Sequence, residues 1–282
     1  MTKLRQAMID AMLLRGFSLR THESYLDAVE KLALYYHRSP DRITEDEIQA
    51  YFLYLAKERQ LTAASCRLHL NGIRFFYVQV LQQAFNTPVV IPKRPQRIPE
   101  LLTRQEVARI IKACQGKKYQ TMLSVCYGCG LRVSELVALK VRDIDGERHL
   151  LRVEQGKGAR DRQVILSETL LHWLRVYWKQ CRPDLWLFCG AQLDQPISVS
   201  SVQHRFGEAK QRAQVKKYEG IHSLRYAYAT HQLAAGLPVT QLQQQLGHQN
   251  IQSTLRYVHW IPDYRGTGQG CDLIAGLEVS HV

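Results

Sequence analysis

The chain has 282 residues, 45% of them hydrophobic, with a net charge of +13 and a sequence pI of about 9.5. That length favours two domains, and the apolar content excludes a disordered tail. The charge points to a polyanionic partner, most often nucleic acid.

The charge is unevenly spread. Residues 1–85 hold 11 Lys+Arg against 9 Asp+Glu, whereas residues 101–282 hold 24 against 15. The seven cysteines are an odd number, and the start, Met1-Thr2-Lys3-Leu4-Arg5-Gln6, reads as a mixed polar helix rather than a signal peptide. No apolar run has the length of a membrane span. These features predict reduced thiols, a cytoplasmic location and no membrane. Cys126-x-x-Cys129 resembles half a zinc motif, but no second pair follows at metal spacing, so two small packed residues are expected.

Residues 1–85 read as an all-helical unit. Tyr25, Val29, Leu32 and Tyr36 recur at helical spacing, and Thr44 to Glu47 forms a capping box ahead of the Ile48, Phe52 and Leu55 stripe. Thr62 is placed to cap a further helix running through Leu68, Ile73, Phe76 and Leu81. Residues 86–100 contain four prolines together with Lys93, Arg94 and Arg97, which predicts an extended basic linker able to lie along a phosphate backbone. Thr103 to Glu106 is a second capping box that opens the unit 101–282, helical to about Leu139.

The period then changes. His149–Glu154 and Asp161–Leu166 read as two antiparallel strands joined by a turn carrying Lys157. From Ser167 the helical pattern returns, broken at Gly236-Leu237-Pro238 and at Gly247. The fold class expected is mainly α: a helical first domain, then a mostly helical domain with a small antiparallel sheet.

The chemistry concentrates in six residues. Arg132 follows Gly128 and Gly130 at a helix start, where backbone N–H groups favour an anion, and Glu135 is placed to orient its guanidinium or cap the turn. Arg225 is the second guanidinium, whose fork suits two phosphate oxygens. Lys157 on its turn is either an ordinary polar residue or a mobile general acid. His222 and His248 suit a general base and a hydrogen-bond donor, and their spacing does not suit zinc. Tyr257 is one of 14 tyrosines and is not singled out by composition.

Taken in order, Arg132, Lys157, His222-x-x-Arg225, Gly247-His248 and Tyr257 resemble the tyrosine recombinase (phage integrase) family, specifically its simple two-domain, Xer-like members. Gly128-Cys129-Gly130-Leu131-Arg132-Val133-Ser134-Glu135-Leu136 resembles the family's first box. His222 to Thr230 and Leu246 to His259 resemble its second. The resemblance covers nearly the whole chain, and Ser18 to Tyr25 is similar to the opening helix of the family's SAM-like core-binding domain.

It implies site-specific recombination of DNA by cleavage and rejoining, through a 3′-phosphotyrosyl intermediate and a Holliday junction. Tyr257 is then the nucleophile, Arg132 and Arg225 clamp the scissile phosphate, and Lys157 is the acid. His222 is the acid/base and His248 a transition-state donor. No cofactor or metal is implied. The implied partners are double-stranded DNA with paired inverted sites and further copies of this chain, assembled as a tetramer on DNA.

Two positions depart from the family pattern. Tyr226 stands where many members have a second His, and Cys129 replaces a small or hydroxyl residue. Leu273, Ile274 and Leu277 in the C-terminal tail are expected to dock on a neighbouring protomer, with folding back on their own domain as the alternative. The sequence leaves open a type IB topoisomerase-like enzyme and a catalytically idle DNA-binding protein.

Overall fold

The computed structural model describes residues 2–86, 100–154, 161–217, 219–261, 263–275 and 277. The chain divides into two compact units, Met1–Arg97 and Ile98–Val282. No described helix is long and apolar enough to cross a membrane.

The first unit is built from α1 (Lys3–Leu13), α2 (Leu19–Tyr36), α3 (Glu45–Lys57) and α4 (Ala63–Phe75), followed by a π-turn over Phe76–Val80. Each helix starts where a hydroxyl satisfies orphan backbone N–H groups. Ser18 caps α2 and Thr62 caps α4, while Thr44 and Glu47 complete the capping box of α3. The core gathers Met8, Met12, Val29, Leu32, Ile48, Phe52, Leu55, Ile73 and Phe76. Leu68 leaves the expected stripe: it is exposed, and α4 turns Cys66, His69 and Ile73 inward instead. Gly72 lets α2 and α4 cross closely, since a Cβ there would lie 3.1 Å from Ala28 Cβ and from Tyr25 Cα.

The second unit begins with α5 (Arg104–Ala113) behind the Thr103–Glu106 capping box, then α6 (Lys117–Gly128) and the five-residue α7 (Val133–Val137). Three antiparallel strands follow: β1 (Ile144–Asp145), β2 (Leu150–Val153) and β3 (Arg162–Ile165), in the order β1-β2-β3. The two expected strands are present, with Leu151 paired to Val164, and β1 adds a short third one. Helices α8 (Glu168–Cys181), α9 (Val199–Arg212), α10 (His222–Ala234), α11 (Val239–Leu246) and α12 (Gln252–Val258) complete the unit.

Cys126 and Cys129 are free thiols packed in the core, and burial pushes both up to about 12. Most of the linker 86–100, with Lys93, Arg94 and Arg97, lies outside the described residues, as does Lys157.

In this single chain the tail takes the fold-back course. Leu273, Ile274 and Leu277 are 1–2% exposed and belong to the core of their own unit. They are not on a helix. Ile274 sits so close to α6 that a Cβ on Gly128 would meet its Cγ1 at 3.0 Å. The Gln232 amide fixes the approach, donating to Cys271 O at 2.7 Å and accepting from Cys271 N at 2.9 Å. The physical reason is that three aliphatic side chains find unfilled apolar space on their own unit, so folding back removes them from water.

Candidate active site

Arg132 is placed by a tight corner. Gly130, at φ 61°, turns the chain out of α6, and a Cβ there would run into the Tyr228 ring. Tyr228 is thereby a packing residue. Arg132 sits at the N-cap of α7, where its N–H donates to Glu135 Oε2 at 2.8 Å and its Nη1 to Glu135 Oε1 at 2.7 Å. Glu135 therefore both caps the turn and orients the guanidinium.

Helix α10 presents His222 at its first residue and Arg225 one turn later. Arg225 is 3% exposed. Its Nη1 donates to Gly130 O and its Nη2 to Leu246 O, both at 2.7 Å, and Nη1 lies 3.7 Å from Glu135 Oε2. Two carbonyls from different elements thus fix one guanidinium. Burial, with repulsion from Arg132, lowers its pKa to about 10, so it stays cationic at neutral pH.

His248 follows Gly247, the left-handed C-cap of α11 at φ 64°. Its Nε2 lies 3.1 Å from Arg225 Nη2 and its Nδ1 2.8 Å from Thr254 Oγ1. Arginine only donates, so Nε2 is the acceptor and Nδ1 carries the proton toward Thr254. Burial, then Arg225, Arg132 and Arg162, drive its pKa down to about 4. Burial and the same Arg225 and Arg132 lower His222 as well. Both imidazoles are therefore set to be neutral at pH 7, able to take up or relay a proton.

Tyr257 lies on α12 and is 6% exposed. Its ring stacks on His248 at 6.1 Å and 11°, meets Trp260 edge-on at 5.3 Å and lies 6.1 Å from Tyr226. Burial raises its pKa, and Arg225 pulls the other way. Tyr226 does more than pack: with Trp260 it walls the phenol. Arg132, His222, Arg225, His248 and Tyr257 all line one cavity of about 490 Å³.

The cavity is electropositive for a structural reason. Burial alone would push Glu135 up. Hydrogen bonds and charge from Arg162, the Arg132 backbone N–H and the Arg225 charge instead hold it at about 2. Among the described residues one carboxylate, Glu135, faces Arg132, Arg162 and Arg225, and the excess positive charge suits an anion. Three residues of this arrangement were not singled out from the sequence: Arg162, Thr254 and Trp260. A signal existed for Arg162, because strand alternation places it on the same face as the core residue Val164.

The chain is similar to known proteins over most of its length. The phage integrase family model matches residues 100–262, and that of the phage integrase N-terminal SAM-like domain matches residues 4–87. The Sinorhizobium fredii protein y4qK is 39% identical over 260 residues, covering 92% of this chain and 84% of its own. A tyrosine recombinase of Thermosipho africanus is 30% identical over 258 residues, covering 87% and 90%. A lambda integrase tetramer bound to a Holliday junction has the same fold, with a TM-score of 0.72 at 19% identity over 89% of this chain and 76% of that one. The chain belongs to the phage integrase family, whose members include tyrosine-type site-specific recombinases.

Proposed function

We propose that this chain cuts and rejoins duplex DNA at specific sites through Tyr257, using the residues that line the cavity. The observation that carries this reading is the convergence of a buried phenol, two guanidiniums and two neutral imidazoles on one space. The Tyr257 oxygen attacks the scissile phosphorus, forming a phosphotyrosyl ester at the 3′ end, and the bond to the 5′ oxygen breaks. His222 takes the phenolic proton, and Lys157 gives a proton to the departing 5′ oxygen. Arg132 and Arg225 hold the non-bridging oxygens, and His248, accepting from Arg225 through Nε2, keeps that guanidinium in place. The phosphodiester energy stays in the covalent bond, so a second 5′ hydroxyl can reverse the step and exchange strands without a metal or nucleotide.

We assign residues 1–85 to DNA binding, 86–100 to a basic linker and 101–282 to catalysis. The lambda integrase tetramer on a Holliday junction supports extending tetrameric assembly on DNA to this chain. The seven free thiols fit a cytoplasmic location.

The test is an adduct. A duplex selected by this chain from a randomised pool, nicked beside the cleavage point, should trap a covalent 3′-linked complex. Tyr257→Phe should bind the duplex and trap none. An adduct with the Phe variant would move the nucleophile to another tyrosine. Joint molecules from two labelled duplexes distinguish a recombinase from an enzyme that only relaxes DNA.

A further inference from the structure

Arg162 lies at the start of β3 and is absent from the cavity lining, yet it is tied to both halves of the site. Its side chain is 10% exposed. Nη1 and Nη2 donate to the two oxygens of Glu135 at 2.9 and 2.8 Å, and Nε donates to Gln245 O at 2.9 Å. The stem is held too: a Cβ on Gly247 would lie 2.7 Å from Arg162 Cδ, so the backbone just before His248 rests on this side chain.

Glu135 is the carboxylate that aims Arg132 and lies 3.7 Å from Arg225. The Gln245–Gly247 segment supplies the Leu246 carbonyl to Arg225 and presents His248. We propose that Arg162 is a positioning residue for the cleavage step, one guanidinium that fixes the carboxylate behind Arg132 and the backbone behind His248 at the same time. This rests on the cavity being the cleavage site.

The geometry explains why arginine is used. Its planar fork takes both Glu135 oxygens while Nε still reaches a third acceptor, which an ammonium point charge cannot do. Without the fork, Glu135 keeps Arg132 and Arg225 as its charged partners among the described residues, and it draws both away from an incoming phosphate. β3 itself does not depend on Arg162 for its place, because Val164 and Ile165 stay in the ladder with β2 and Ile165 N donates to Gln245 Oε1 at 2.9 Å.

The experiment uses the full chain and the nicked duplex selected from the randomised pool, with single-turnover adduct formation and duplex binding measured in parallel. Arg162→Met should slow adduct formation by roughly a hundredfold, the scale of an ångström of misplacement in an active site. Its duplex Kd should stay within about threefold, since Arg162 touches no DNA in this reading. Adding Glu135→Gln to Arg162→Met should cost little more than either change alone, because the two act as one unit. Arg162→Lys keeps the charge without the fork and should still fall by roughly tenfold; it decides the matter if the Met variant does not fold. Parent-like adduct formation by either variant overturns the inference, as do losses that multiply in the double variant or a loss of binding that matches the loss of cleavage. If the parent chain itself forms no adduct, the reading of the cavity falls, and this inference with it.

Discussion

Leu32 in the first unit and Arg225 in the second are both nearly sealed from solvent, at 0% and 3% exposure. Their surroundings differ. Leu32 is packed among methionines, aliphatics and aromatic rings, in a core whose buried polar side chains are His22 and His69 among the described residues. Arg225 is held by two carbonyls, a histidine and a carboxylate that is itself shared with two other arginines. The first interior is held by removal of apolar surface from water. The second spends part of its interior on charge that folding alone does not require, and that charge is stable only while every member has its partner.

The sharpest way to break this comparison is to truncate one side chain in each unit. Arg225→Ala should lower single-turnover cleavage by roughly a hundredfold or more, the scale for losing one fixed donor to a transition state. It should also destabilise its unit, because the carbonyls of Gly130 and Leu246 lose their donor at about 1–3 kcal/mol each. Leu32→Ala should cost about 2–5 kcal/mol in the first unit, while the cleavage rate of the saturated complex stays near that of the parent. Calorimetry and quenched cleavage assays together check both halves.

Next in size is removal of the tail. Deleting the chain after Pro262 takes away Leu273, Ile274 and Leu277, each worth about 1.5–3 kcal/mol when fully buried. The second unit should melt well below the parent, and duplex binding should weaken along with recombination. A truncated chain with parent stability and intact duplex binding, defective only in recombination, would mean that these residues serve a neighbour instead.

Two glycines sharpen the contrast further. Gly130→Ala meets both the Tyr228 ring and a φ of 61°, and its carbonyl is an Arg225 acceptor, so stability and cleavage should fall together. Gly72→Ala crowds Ala28 and Tyr25 of the first unit, so it should cost about 1–3 kcal/mol, in line with overpacking, and leave cleavage at saturation unchanged. Equal effects on cleavage would show that the first unit also shapes the chemistry.

Acid should produce the smallest difference. His248 is lowered to about 4 in the folded chain, so the unfolded chain binds the extra proton first, and stability falls as the pH drops from about 6.5 toward 4. Glu135, held at about 2, adds stability above its ordinary value of 4.5, which is lost as the pH falls toward 2. Both act in the same direction and in the second unit. Melting followed from pH 7 to pH 4 should therefore lower the second transition more than the first, and His248→Asn should flatten part of that slope. In the first unit His69, lowered by its burial, and Glu47, lowered by the Thr44 N–H and Arg38, work in the same sense. An equal slope in both units would mean that these two groups match the contribution of the second unit.

Much of this architecture was legible in the sequence, because it is written in local terms. Hydroxyl caps at Ser18, Thr44, Thr62 and Thr103 start helices by satisfying nearby N–H groups, and Gly236 and Gly247 end them with positive φ. Strands β2 and β3, on either side of Lys157 in the sequence, alternate with period two. The order of Arg132, His222, Arg225, His248 and Tyr257 along the chain was enough to name them, since their family boxes are local strings. Leu68 was misplaced because a helical stripe tolerates a shift of one residue, and only packing against α2 decides which side of α4 turns inward.

The sequence by itself determined the two helical units, the small sheet and the identity of the residues facing the cavity, because capping, periodicity and short motifs act over a few residues. The tertiary structure alone decided how they are held. It joined Arg162 to Glu135 across 27 positions and to Gln245 across 83, stacked Tyr257 on His248 beside Trp260, and folded Leu273, Ile274 and Leu277 onto their own core. A guanidinium, a ring or a leucine carries no mark of its distant partner. Each is assigned only when packing leaves one carboxylate unsatisfied, one aromatic wall open or one apolar surface uncovered.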